Sequence, residues 1–125
     1  MDIHVRRGHL VTANSPETRL DYVVSLSGSL RDLGHIHVRY VPDRLILTPN
    51  SFARYLDALE TISWTHLEEV AAAILTDLNN ELVARWVQVA LSHADSSLET
   101  DHHILLEDRQ PNWNNAQLLS RLSTR

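Results

Sequence analysis

Between residues 67 and 82 the apolar side chains Leu67, Val70, Ala71, Ile74, Leu75, Leu78 and Leu82 recur every three or four positions, forming one stripe along a helix. A helix that is apolar along one side needs a second layer to cover it. The flanking segments supply that layer with a different period. Residues 20–27 are rich in β-branched and aromatic side chains, with Tyr22, Val24 and Leu26 on one face, and residues 35–41 alternate polar with apolar until Pro42 stops them. Turn residues from Gly28 to Gly34 join these two runs into an antiparallel hairpin. Phe52, Tyr55, Leu56 and Leu59 then follow the helical interval, with Asn50 or Ser51 as N-cap and an end near Glu60. Thr65, His66, Leu67 and Glu68 read as a capping box at the head of the long stripe. Strand composition returns at residues 85–91 and 102–107, across a polar connection containing Ser96 and Ser97. The first 19 residues read as a strand or arm ending in a turn at Asn14, Ser15 and Pro16, and Leu118, Leu119 and Leu122 predict a short docked helix in the tail.

The order is therefore hairpin, two helices, hairpin. It predicts one α+β domain over residues 1–125: an antiparallel four-stranded sheet in ββααββ order with two helices on one face. Such a sheet has two open edges, and pairing edge to edge with further copies would close them. A chain of 125 residues buries roughly two-thirds of its unfolded surface. Its core is modest, and an oligomeric interface would add to it.

The net charge of −5, from 16 acidic against 11 basic residues, gives no general field for a phosphate backbone, so nucleic acid is not an expected partner. No run approaches the roughly 20 apolar residues that span a bilayer, and the first seven residues lack the apolar segment of a secretory signal. The expected location is the cytosol, without membrane contact. Cysteine is absent, which removes disulfides, thiolate nucleophiles and cysteine-ligated zinc. Lysine is absent too, all 11 basic residues being arginine, so a Schiff-base lysine is excluded.

The middle of the chain carries more specific wording. Tyr40, Val41, Pro42 and Asp43, then Ser51, Tyr55 and Leu56, Thr76, Asp77 and Leu78, and Trp86, Val87, Gln88 and Val89 resemble the pattern of the 7-cyano-7-deazaguanine reductases, the nitrile reductases of queuosine biosynthesis. The stretch from Gly34 to Pro42 is similar to the one preceding the helices of GTP cyclohydrolase I. Both families have the tunnelling fold, whose subunits oligomerise edge to edge and bind a purine- or pterin-like heterocycle where they meet. The resemblance covers residues 25–91. It implies a homo-oligomer with a small heterocyclic ligand at subunit interfaces.

Carried over residue by residue, the resemblance puts Ser27 where the nitrile reductases have their nucleophilic cysteine and Asp32 where they have a proton-handling aspartate. A serine hydroxyl without an activating base attacks a nitrile far more slowly than a thiolate. The family's charged NADPH segment corresponds to residues 48–53, which carry no charge, so no cofactor is assigned. Glu68 stands where tunnelling folds place the glutamate that reads the amide and amino edge of the ligand, with Glu69 one position away and Trp64 near enough to stack. Glu68 equally fits the capping box, and Asp32 a turn. His35 and His37 project from one strand face, His102 and His103 would approach them if the two hairpins share a sheet, and with His102 they would make a histidine-only zinc site similar to that of 6-pyruvoyltetrahydropterin synthase. The simpler reading gives His35, His37 and Arg39 the polar face of a half-exposed strand. A non-catalytic structural or regulatory subunit is the remaining alternative.

Overall fold

The computed structural model describes residues 2–93 and 100–122; Ser96 and Ser97 lie outside them. The elements run α1 (Ile3–Arg7), β1 (Thr12–Asn14), β2 (Val24–Leu30), β3 (Gly34–Val41), β4 (Leu45–Leu47), α2 (Pro49–Leu59), α3 (Leu67–Leu82), β5 (Trp86–His93), β6 (His102–Arg109) and α4 (Ala116–Leu119). The chain is α+β. Strands β2, β3, β5 and β6 form one antiparallel sheet in that spatial order, and β1 pairs with β4 in a separate two-stranded ribbon. The four-stranded sheet is open, with β2 and β6 at its edges. No described helix is long and apolar enough to cross a membrane.

Alternation assigns the two sides of the sheet. Ile36 lies opposite Leu91, Val38 opposite Val89 and Tyr40 opposite Val87, and all six are buried beneath the helices. Leu56 and Leu59 of α2 and Val70, Ile74 and Leu78 of α3 close that core from above. Gly28, expected in a turn, instead lies inside β2, opposite Ile36. A Cβ there would sit 2.7 Å from Leu56 Cδ1, so the bare backbone is what lets α2 approach the strand.

Helix boundaries moved by one or two residues from the expected positions, for local reasons. Thr48 is the N-cap residue of α2 and Pro49 its first helical residue, a place where the missing N–H costs nothing. Ser51 is buried inside the first turn, its hydroxyl 2.8 Å from Thr48 O and accepting from Val11 N at 3.0 Å. In α3 the extended cap residue is His66 and not Thr65, so the carboxylate that closes the box is Glu69, which accepts from His66 N at 3.0 Å.

Three ionic pins fasten the periphery. Asp77 of α3 is fully buried and receives Arg6 Nε at 2.6 Å, Arg6 Nη2 at 2.7 Å, Arg7 Nε at 2.8 Å and the Tyr55 hydroxyl. Burial alone would raise its carboxyl, but the donors from Arg6, Tyr55 and Arg7 together outweigh burial and hold it below the ordinary carboxylate range. Asp21 accepts from Arg85 Nη1 at 2.9 Å, Asn115 Nδ2 at 3.0 Å and Trp113 Nε1 at 3.2 Å, joining the segment before β2 to the tail. Asp43 accepts from Gln110 Nε2 at 3.0 Å and lies 3.5 Å from Arg85 Nη2.

Candidate functional site

The sheet face opposite the helices follows from the same alternation. One row across the four strands reads Ser29, His35, Ser92, His103; the next reads Ser27, His37, Ala90, Leu105; the third reads Ser25, Arg39, Gln88, Glu107. At the Trp86 end this face is covered: Val41, Trp86 and Arg39 point away from the helices and are nevertheless buried. The segments that meet at Asp21 converge there, next to Arg85, and Arg39 Nε donates to Gln88 Oε1 at 2.9 Å. Toward the other end the face is a concavity of about 650 Å³ lined by the first two rows.

Ser27 lines this concavity, directly across from His37. Asp32 does not join it. It occupies the turn beyond Leu30 with φ of 64°, a left-handed conformation that aspartate tolerates better than most residues, which is the turn role. From Ser27 to the strand end is about 10 Å of extended chain.

His35 and His37 do share a face, and both line the concavity. His102 is on the other side of the sheet, because it is His103 that lies opposite Ser92 in the row of His35. The residue numbers alone could not reveal this, since the parity of β6 depends on the register across its hairpin. Ser29 Oγ lies 3.1 Å from His35 Nδ1, which turns that ring toward β2. Among the described residues no group of three or more His, Asp or Glu side chains is disposed to hold a metal ion.

The second candidate region lies on the helix side. With Glu69 engaged by the backbone of His66, Glu68 is the neighbouring carboxylate left out of the cap, its side chain 64% exposed. Its Oε2 is 3.6 Å from His102 Nε2, so the head of α3 and the start of β6 present a carboxylate beside an imidazole. Trp64 is partly buried against the core and donates from Nε1 to Leu59 O at 2.9 Å, finishing the C-terminal turn of α2. That bond accounts for its placement without a stacked ring.

Several residues that carried the resemblance serve as frame. Tyr40 is buried with its hydroxyl accepting from Leu47 N at 2.9 Å, Tyr55 donates to Asp77, and Asp43 and Ser51 make the bonds described above. No family model matches the chain, and no curated protein matches it at a significant level.

Proposed function

We propose that the chain is a tunnelling-fold subunit that pairs with further copies through the β2 and β6 edges and holds a purine- or pterin-like heterocycle between subunits, without nitrile reduction. The observation that supports this reading best is the division of labour at the head of α3. Glu69 takes the cap, which leaves the exposed Glu68 carboxylate beside His102 able to accept two N–H donors from a planar ligand. An antiparallel sheet with two unpaired edges and helices on one face is compatible with edge-to-edge assembly.

Catalysis of the nitrile-reductase kind is not part of the proposal, because Ser27 would have to do the work of a thiolate. His37 lies across from it, yet a serine nucleophile also needs donors aimed at the developing charge, and the concavity wall offers side chains spread over two rows.

The test combines solution mass with calorimetric titration of 7-cyano-7-deazaguanine, using adenine as control. An oligomer that binds the first base and not the second is expected. Glu68→Gln should weaken binding by about tenfold or more, since a neutral amide loses the charge-assisted pair. Glu69→Gln should keep binding and lower the melting temperature slightly, as loss of half a capping box does. With NADPH added, no base is reduced. A monomer that binds neither base, or an unchanged affinity in Glu68→Gln, removes the proposal.

A further inference from the structure

We propose that His102 sets the specificity of the site at the head of α3, where it donates to a ring carbonyl while Glu68 accepts from the two N–H groups beside that carbonyl. The guest is thereby narrowed to a planar ring whose edge runs amino, amide N–H, carbonyl. This role of His102 rests on the heterocycle site proposed above, and it adds a second recognition residue and an order of groups.

Two separate constraints bring the residues together. Glu69 accepts from His66 N, which settles the first turn of α3 and leaves Glu68 out of the cap. Register does the rest: the pairing of β5 with β6 places His102 opposite His93, on the helix side of the sheet, and its Nε2 comes to 3.6 Å from Glu68 Oε2. A carboxylate oxygen facing Nε2 favours the form of the ring that carries a proton there. His93 is engaged elsewhere, since its Nδ1 is 3.0 Å from Leu33 O, a carbonyl that can only accept. The edge of the site therefore shows acceptor, acceptor and donor in order: Glu68 Oε1, Glu68 Oε2 and His102 Nε2.

Complementarity then orders the guest. Hydrogen-bonded heavy atoms lie about 3 Å apart, so adjacent groups on one ring reach both members of a pair 3.6 Å apart. Acceptor, acceptor, donor is matched by donor, donor, acceptor, which is the amino, amide N–H and carbonyl edge of a 2-amino-oxo purine or pterin. Adenine offers an amino group followed by a bare ring nitrogen. Only one of its groups then donates to the carboxylate, and the second oxygen is left without a partner. Xanthine sets a carbonyl oxygen where the amino group should stand, facing the carboxylate, and that repulsion rejects it. The Glu68 and His102 side chains are 64% and 47% exposed, so the bond from His102 is worth a modest factor and the carboxylate remains the main anchor.

Calorimetry at neutral pH with 7-cyano-7-deazaguanine and its thione, in which sulfur replaces the ring carbonyl oxygen, isolates this contact. Both rings keep the two N–H donors for Glu68, and sulfur is the weaker acceptor. The wild-type protein should bind the oxo ring about five- to tenfold more tightly than the thione and should leave xanthine unbound. His102→Ala should remove that preference, bringing the oxo ring down to the affinity of the thione, and His102→Gln, which keeps an N–H donor, should restore part of it. Glu68→Gln should weaken both rings, and His93→Gln should leave their ratio unchanged. Glu68-dependent binding that keeps its full preference for the oxo ring in His102→Ala, or tight binding of xanthine, would overturn the role of His102 and leave the site standing. Absence of binding by either ring in the wild type would remove the site, and this role with it.

Discussion

Asp77→Ala is expected to destabilise the chain by about 3–5 kcal/mol, the range for breaking a buried ion pair by removing one partner. The carboxylate is fully buried, and it gathers donors from α1 and α2 onto α3. Without it, Arg6 and Arg7, whose side chains are 13% and 15% exposed, face each other with no counter-charge, and the Tyr55 hydroxyl loses its acceptor. Five-residue α1 buries none of its own side chains, so these bonds are what hold it against the body. The chain should lose α1 first, and thermal unfolding should begin on the order of 10 °C or more lower. The pH dependence has a definite sign. Because the folded carboxyl is held below its ordinary range, its contribution is complete above that range and fades as pH falls through the folded value. Denaturant titrations of wild type and variant should therefore converge in acid; a variant as stable as wild type at neutral pH would mean the network contributes nothing net.

The second large effect is expected at Gly34, the first residue of β3. Its φ of 136° is a conformation that side chains rarely adopt, and a Cβ there would lie 2.1 Å from Ser92 O and 2.9 Å from Ser92 C. Both obstacles are backbone of β5, which is hydrogen-bonded to β3 and cannot swing aside as a side-chain tip does. Adding the backbone strain to the overpacking gives a cost of about 3–5 kcal/mol for Gly34→Ala. Hydrogen exchange should show protection lost along the β3–β5 ladder near Ser92 before it is lost under the helices. The corresponding change at Gly28 meets one flexible leucine terminus and should be milder. If Gly34→Ala folded with native stability, the close approach of the two strands would not be what the glycine is there for.

Much of the frame was legible because it rests on period and composition. The stripe from Leu67 to Leu82 is α3, and the alternation of residues 35–38 is the exposed and buried alternation of β3, which ends where Val38 to Val41 are all buried because the Trp86 end of the open face is covered. What was hidden depends on distance along the chain. Strands β1 and β4 have three residues each, too few to show a period, and α1 has no apolar stripe because charge and not burial holds it. Asp77 reads as part of a motif, but its arginine partners lie 70 and 71 residues earlier. At the candidate sites the errors were of a single residue. The cap carboxylate is Glu69 and not Glu68, because the extended residue before α3 is His66, and of the two histidines expected near His35 and His37 it is His103, not His102, that shares their face. One residue turns a helical side chain by about 100° and sends a strand side chain to the opposite face, so the type of side chain was readable and its address was not.

Tyr55 gives the protein a built-in optical alarm. Burial first, and then the bond to Asp77, push its phenol far above the usual range, so the folded chain keeps that proton where an unfolded one surrenders it. As alkalinity rises past the normal phenol value, stability must fall, because only the unfolded form gains by releasing the proton. The ultraviolet signature of this tyrosinate should consequently appear together with collapse of the fold, as one cooperative step, and not as a gentle titration beforehand.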